Sequence, residues 1–276
     1  MSIFELVGTL LCIAALMGYL NTRYLKLPTT IGIMVLSLAA SLVMVFIGLV
    51  APGVDEWASN LVAQIDFRGV LLEIMLSYLL FAGALHVQLA DLAKQKWAIA
   101  LMATFGVMLS TLLVGIGTYY LMPLFGFDIK FIYCLLFGAL ISPTDPVAVL
   151  GILKQAKVAK SLETKITGES LFNDGIGVVV FLALLSIATG QNEASFSFIG
   201  KLFAVEVLGG LGLGAVLGYT GYFLLKRINN YQVEVLITLA LVTGGYALAT
   251  RLHLSGPLAM VIAGLMTGNK GRVLAM

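Results

Sequence analysis

Two aspartates lie in strongly apolar parts of the chain, each among side chains that can bind an ion. Asp145 belongs to the stretch SPTDPVAVLG, Ser142 to Gly151, and Asp174 belongs to GESLFNDGIGVVVF, Gly168 to Phe181. A charged residue at the centre of a membrane helix costs on the order of 3 kcal/mol. Both aspartates are therefore candidates for an ion site.

The first stretch contains two prolines that interrupt a helix. Pro143 and Pro146 lack backbone N–H groups, so the carbonyls four residues before each proline lose their helical partners. An unwound backbone at membrane depth is tolerated only where it lines a polar cavity or is buried in protein. With the Thr144 hydroxyl and the Asp145 carboxylate, the freed carbonyls form a set of hard oxygens that suits Na⁺ or another alkali cation. The alternative is a proline kink with a capping aspartate.

The second stretch has a helical spacing of polar side chains. Ser170 and Asp174 lie four residues apart and share a helix face, and so do Glu169 and Asn173. Asn173 beside Asp174 gives one ionisable group and one neutral amide that can orient it. Three glycines allow close approach of the neighbouring broken helix: Gly168, Gly175 and Gly177. The alternative is a polar clamp between helices that does not transport.

Composition indicates an all-α integral membrane protein. Of the 276 residues, 60% are hydrophobic and 11% are charged, whereas a soluble domain has roughly 25% charged residues. Long uninterrupted apolar segments argue against a β-barrel. The net charge of +2 gives no indication of a nucleic-acid partner. Cys12 and Cys134 lie inside apolar runs, which is typical of core thiols.

We predict about nine membrane spans within one transmembrane domain over residues 1–276, since a span needs about 20 apolar residues. The segments are 3–20, 30–50, 69–90, 97–121, 130–153, 164–189, 197–225, 232–250 and 254–268. With the N-terminus outside, the inner loops hold 12 of the 16 lysines and arginines and the outer loops hold 4. This asymmetry predicts cytoplasmic Lys/Arg-rich loops. Asp145 and Asp174 then both lie within a turn or two of the midplane.

Several other acids, histidines and glycines can be interpreted in two ways. Glu73 either extends to the interface or lines an outer cavity, and we assign no role to Glu206 or Glu234. His86 and His253 lie at loop boundaries as pH sensors or as ordinary interfacial residues. Four glycines predict helix packing within the protomer or across a dimer: Gly210, Gly214, Gly218 and Gly221.

The stretch SPTDPVAVLGILKQAKVAKSLETKITGESLFNDGIGVVVF resembles the paired signature of monovalent cation/proton antiporters of the NhaP and Na⁺/H⁺ exchanger branch. The stretch HLSGPLAMVIAGLMTGN, His253 to Asn269, resembles a later segment of that family. The resemblance implies a helical bundle of the inverted-repeat cation/proton antiporter type. It also implies a homodimer in the cell membrane, with about 12–13 spans in each protomer.

The resemblance assigns a role to each matching residue. Asp174 would alternately bind cation and proton, with Asn173 as its neutral partner, which implies electroneutral exchange. Thr144, Asp145 and Ser170 would complete the Na⁺ site. Residues with structural roles would be Glu169, paired with an arginine on a later helix, and the helix-breaking Pro143 and Pro146.

The function implied is secondary active exchange of Na⁺ or Li⁺ for H⁺. A K⁺/H⁺ antiporter of the same fold and a cation channel are the alternatives. The chain is not expected to be an enzyme or to bind a cofactor, and its partners would be monovalent cations, protons and the lipid bilayer. Nine spans leave the second repeat incomplete, so we expect a fragment or truncated product of a longer antiporter, which need not be active by itself.

Overall fold

The computed structural model describes residues 3–50, 69, 74–145, 158–190 and 195–272. Within these residues the backbone is helical apart from short connections, and it contains no β-strand. The all-α prediction is therefore confirmed for this part of the chain. Two compact units divide the chain, the first ending at Phe67 apart from a short later segment, the second containing most of the remainder.

The first unit contains two apolar helices among the described residues. α1 is Ile3–Leu20 and α2 is Thr29–Val50. Between them the Asn21 side chain is buried, and its amide donates to the carbonyl of Leu27 at 2.9 Å. A Cβ atom at Gly32 would collide with this amide. Glycine at that position therefore lets α2 pack against the connection that follows α1.

The second unit contains ten described α-helices. They are α3 Leu76–Leu85, α4 Leu89–Lys94, α5 Lys96–Leu101, α6 Val107–Leu121, α7 Phe131–Ile141, α8 Lys160–Ala188, α9 Phe196–Phe203, α10 Gly209–Leu225, α11 Tyr231–Arg251 and α12 Gly256–Arg272. One π-helical turn joins α5 to α6, and another joins α9 to α10. Each pair therefore forms one continuous helical stretch.

Five described helical stretches are long and apolar enough to cross a membrane. They are Thr29–Gly48, Lys96–Phe125, Lys160–Ala188, Ile199–Leu225 and Tyr231–Arg251. Large apolar side chains point outward from such helices, for example Phe46 at 67% exposure. Contiguous exposed apolar surface is rare in soluble proteins and is typical of helices that face lipid. Each of the nine predicted segments contains a described helix, although only these five reach that length and hydropathy.

α12 lies at the centre of the second unit. Leu258, Ala259, Met260 and Val261 are successive residues of this helix and are all at most 1% exposed. Helix α10 presents its glycines to α12, and a Cβ atom at Gly214 would lie 2.6 Å from the carbonyl oxygen of Ala259. The backbones of the two helices therefore approach closely, as small residues permit.

The four glycines of α10 pack within the protomer. Cβ atoms at Gly214 and Gly218 would lie within 3 Å of atoms of α12, and one at Gly210 would lie 2.7 Å from the carbonyl oxygen of Ser255, the residue before α12. A Cβ atom at Gly221 would collide with Leu241 of α11. Of the two sequence-based readings, packing within the chain therefore accounts for these glycines.

Gly214→Ala is expected to lower the free energy of unfolding by about 1–3 kcal/mol, because the new methyl group overlaps the α12 backbone. The matched control is Gly212→Ala, since nothing lies within 4 Å of a Cβ atom at Gly212. That control gains helix propensity without a clash. The measurement is the thermal unfolding midpoint of both variants in detergent. Equal midpoints for the two variants would contradict the close packing of α10 on α12.

The start of α8 is joined to α4 by one ion pair, and a second pair lies within α4. Asp91 Oδ2 lies 2.7 Å from Lys160 Nζ, and Asp91 Oδ1 lies 3.3 Å from Lys94 Nζ. Hydrogen bonds from Lys160 and then Lys94 hold the pKa of Asp91 below its usual value. Asp91 is therefore ionised at neutral pH and anchors the beginning of the long helix that carries Asp174.

Candidate functional site

α7 ends where the sequence predicts a helix break. The helix spans Phe131–Ile141, and the three residues from Pro143 to Asp145 are not helical. Ser142 donates to the carbonyl of Gly138 through both its backbone N–H at 3.0 Å and its hydroxyl at 2.6 Å. The helix in the predicted span 130–153 thus ends after the twelfth residue of the span, because proline cannot continue the hydrogen-bond ladder.

Two of the predicted residues lie outside the described part of the chain. Pro146 follows the last described residue of the broken segment, and Glu73 precedes α3. The roles assigned to both from the sequence stay predictions.

α8 continues unbroken past the polar stretch. Ser170 and Asn173 on this helix are 0% exposed, while Glu169 and Asp174 are partly buried. Burial of an amide and a hydroxyl requires hydrogen-bond partners. Those partners come from the helix itself and from the unwound segment after α7.

Asn173 connects the broken segment to α8. Its Nδ2 donates to Thr144 Oγ1 at 2.9 Å and to Glu169 Oε1 at 2.7 Å. The Thr144 hydroxyl also lies 3.1 Å from Ser170 Oγ and 3.4 Å from Glu169 Oε2. Four of the predicted site residues therefore form one hydrogen-bonded cluster, which we call the Thr144 cluster: Thr144, Glu169, Ser170 and Asn173.

Besides Glu169, two carboxyl groups adjoin this cluster, because Asp145 follows Thr144 and Asp174 follows Asn173 in the chain. Asp145 and Glu169 are both near enough to act electrostatically on the Asp174 carboxyl. Among the residues that the structure describes, no donor reaches the buried Oδ1 atom of Asn173. Like charges at short range need a counter-charge. The site therefore combines concentrated negative charge with oxygen atoms, which is the donor chemistry that a hard monovalent cation prefers.

The glycines of α8 face three different neighbours. A Cβ atom at Gly177 would collide with the ring of Pro143, so this glycine admits the broken segment as predicted. The prediction is wrong for the other two: Gly175 faces Leu258 of α12, and Gly168 faces side chains of α4 and α5. α8 is enclosed on several sides, and glycines spaced around its circumference therefore serve different contacts.

Two hydroxyl groups on α6, which were not among the predicted site residues, support the end of α7. Ser142 Oγ lies 3.0 Å from Ser110 Oγ and 3.4 Å from Thr111 Oγ1, both on α6. A Cβ atom at Gly138 would collide with the carbonyl of Thr111, which brings α6 and α7 into backbone contact. The signal was a Ser-Thr pair inside an apolar span, where hydroxyls need partners on other helices.

Comparison with known proteins gives matches along nearly the whole chain. The family model described as "Sodium/hydrogen exchanger, transmembrane" matches residues 11–273. The Na⁺/H⁺ antiporter NhaP of Pseudomonas aeruginosa is 50% identical over 273 residues, which is 99% of this chain and 64% of that protein. A similarity limited to the two motifs would cover far fewer residues than these matches do.

Relatives of lower identity also carry the name of Na⁺/H⁺ antiporters. The low-affinity Na⁺/H⁺ antiporter NhaS1 of Synechocystis is 33% identical over 86% of this chain and 43% of its own length. The Na⁺/H⁺ antiporter NhaH of Halobacillus aidingensis is 29% identical over 92% of this chain and 61% of its own length. The chain thus spans less than two thirds of the length of these relatives, all of which carry the names of transporters rather than enzymes.

Proposed function

The chain belongs to the sodium/hydrogen exchanger family, and from this premise we propose that it exchanges Na⁺ or Li⁺ for H⁺ across the membrane. It is a multi-pass membrane protein. The observation that carries the proposal is the Thr144 cluster, which joins a broken helix to the helix of Asp174 within the second unit. A hydrogen-bonded oxygen cluster beside a carboxylate is suited to binding a small, hard cation.

The proposed ion site has four ligands: Asp174, Asp145, Thr144 and Ser170. Thr144 and Asp145 are exposed among the non-helical residues that follow α7, so a cation can reach their oxygens. Ser170 lies one helical turn before Asp174 and is already 3.1 Å from the Thr144 hydroxyl. A cation between α8 and the broken segment would balance the charge of the neighbouring carboxylates.

Asn173 and Glu169 are proposed to position the site rather than to bind the ion. The Asn173 amide holds Thr144 at 2.9 Å and Glu169 at 2.7 Å. Through Thr144, these two residues orient the hydroxyl that faces Ser170. Because residue 173 is a neutral amide, Asp174 is the carboxylate to which we assign the exchange, and one Na⁺ replaces one H⁺.

Coupling follows from competition at Asp174. The carboxyl group holds either a proton or a cation, and either ligand neutralises its charge. An empty, ionised aspartate is too costly to move through the apolar barrier. Access therefore changes sides only when the site is occupied, and each cation that moves in one direction is matched by a proton in the other. This is how opposed fluxes are linked in a secondary transporter.

The proposed function also includes an orientation of the chain in the membrane. The excess of Lys and Arg in alternate loops supports an outer N-terminus and cytoplasmic basic loops. α8 then crosses from the cytoplasmic side to the outer side, with Lys160 at its inner end. A single transport domain over residues 1–276 and a homodimer remain part of the proposal.

The test is a cation titration of ΔpH dissipation in everted membrane vesicles that contain the complete gene product. Na⁺ and Li⁺ are expected to collapse the pH gradient in a saturable way, with no effect of a change in membrane potential. A response to K⁺ alone would replace the proposed substrate by K⁺. Unitary currents in a planar bilayer would support a channel instead, and no response to any of the three cations would overturn the proposed function.

A further inference from the structure

A pocket with a mainly apolar lining and a few polar side chains lies in the same unit as the Thr144 cluster. It has a volume of about 270 Å³. The side chains that give it its chemical character come from α8, from the turn before α10, from α11 and from the connection that follows α11: Val178, Leu182, Glu206, Tyr246, Thr250 and His253. Glu206 is the one carboxylate among the described residues that line it.

This pocket and the proposed ion site share one face of α8. Asp174, Val178 and Leu182 follow each other at intervals of four residues, which places them in one row along the helix. At 1.5 Å per residue, Val178 lies about 6 Å and Leu182 about 12 Å beyond Asp174 along the helix axis. The pocket therefore lies next to the exchanging carboxylate, towards the C-terminal end of α8.

One backbone hydrogen bond and one left-handed residue shape the chain around the pocket. Ser255 N–H donates to the carbonyl of Glu206 at 3.1 Å, which fixes the connection after α11 against the π-helical turn before α10. His253 in this connection has a φ of 54°, a left-handed conformation that reverses the chain. Glu206 and His253 are close enough to interact electrostatically.

The chemistry of the pocket is that of a cation-attracting cavity. Glu206 is half-buried in a helical stretch apolar enough to span the membrane. An ionised carboxylate at such a position is tolerated where it faces a water-filled cavity. Low-dielectric walls around a single negative charge focus its field and raise the local concentration of cations.

We infer that this pocket is the outer vestibule of the ion pathway, in which Glu206 concentrates hydrated monovalent cations before they reach Asp174. The inference rests on the proposed function for its direction, since α8 runs outward from Asp174 to Leu182 in the proposed topology. The position of His253 agrees with it, because the connection after α11 is predicted to be an outer loop. Glu206 is a positioning residue, which acts on the ion before it binds.

The first experiment measures access and charge without relying on transport. Val178→Cys is introduced in a background with Cys12→Ala and Cys134→Ala. It is then labelled from the outer side with two membrane-impermeant thiosulfonates of similar size, one cationic and one anionic. The cationic reagent is expected to react faster, and Glu206→Gln is expected to lower the ratio of the two rate constants about fivefold. Labelling from the inner side only, or a ratio unchanged by Glu206→Gln, would overturn the inference.

The second experiment measures exchange. Glu206→Gln is expected to raise the KM for Na⁺ supplied from the outside about fivefold, with an unchanged maximal rate and an unchanged KM from the inside. The matched control is Glu234→Gln, a partly buried acid in the first turn of α11. An equal rise in KM on both sides would overturn the vestibule. Absence of exchange in the wild type, together with charge-selective labelling, would overturn the proposed function and leave the vestibule in place.

Discussion

Asp174→Asn is expected to abolish Na⁺-dependent proton exchange while the protein stays folded and inserted. The substitution keeps the size of the side chain and removes the charge for which cation and proton compete. A permanently neutral residue can still cross the apolar barrier, but it carries no proton and binds the cation weakly. We expect the rate of ΔpH dissipation to fall at least about 100-fold, to the level of empty vesicles, because about 3 kcal/mol of charge interaction corresponds to this factor.

The matched control is Asp128→Asn. Asp128 is exposed in the connection before α7, outside the Thr144 cluster. Its neutralisation should leave exchange within twofold of the wild type, a difference of about 0.4 kcal/mol. Both variants are to be compared at equal amounts of inserted protein and equal thermal unfolding midpoints. Full Na⁺-dependent collapse of ΔpH by Asp174→Asn would rule out the proposed competition, whatever the control does.

Asn173→Asp is expected to destabilise the protein more than Asn173→Ala. The wild-type amide donates to Glu169 Oε1 at 2.7 Å and to Thr144 Oγ1 at 2.9 Å. Alanine removes both donors, whereas aspartate also places a second carboxylate against Glu169 in a fully buried position. An uncompensated buried charge costs about 3–5 kcal/mol, compared with about 1–3 kcal/mol for a buried group left without a partner. The free energy of unfolding in denaturant measures the difference.

A second substitution at Glu169 tests whether repulsion between residues 169 and 173 causes the loss of stability. In Asn173→Asp combined with Glu169→Gln, the glutamine amide can donate to the new carboxylate and restore the bond with the opposite polarity. We expect the double variant to recover most of the loss, with an interaction energy of about 2 kcal/mol in the double-mutant cycle. Strict additivity of the two substitutions would show that the contact between residues 169 and 173 does not control stability.

The break after α7 was accessible from the sequence because proline acts locally. Pro143 removes one backbone donor whatever surrounds it, so the end of the helix near Ile141 follows from covalent structure alone. The shared face of Glu169 and Asn173 was equally accessible, since a spacing of four residues fixes which side chains meet along a helix. Their hydrogen bond at 2.7 Å agrees with that spacing.

The partners of particular side chains were not accessible in this way. The amide of Asn173 was expected to orient Asp174, whereas its described hydrogen bonds go to Thr144 and Glu169, because side-chain rotamers and tertiary packing decide where an amide points. Gly175 was expected to face the broken helix and instead meets Leu258. Helical periodicity gives the direction of a residue relative to its own axis, but it does not say which helix lies on that side.

The Ser110 and Thr111 hydroxyls illustrate the same limit. They lie about 30 residues before the broken segment, and only the antiparallel pairing of α6 and α7 brings them to Ser142. A composition-based reading finds two polar residues in an apolar span and has no means to choose their partner. The membrane nevertheless restricts the choice, because a buried hydroxyl has to find a partner on its own or a neighbouring helix.

The position of α12 also bears on how the protein is made. α12 is enclosed by the glycine face of α10 and by α3, where a Cβ atom at Gly264 would lie 2.6 Å from the carbonyl oxygen of Phe81. It is not one of the five described stretches that are apolar enough to cross a membrane by themselves. Since a ribosome synthesises it after both neighbours, we expect α12 to insert into the bilayer against helices that are already in place. We then expect membrane insertion and tertiary folding of this part of the chain to occur together during biogenesis.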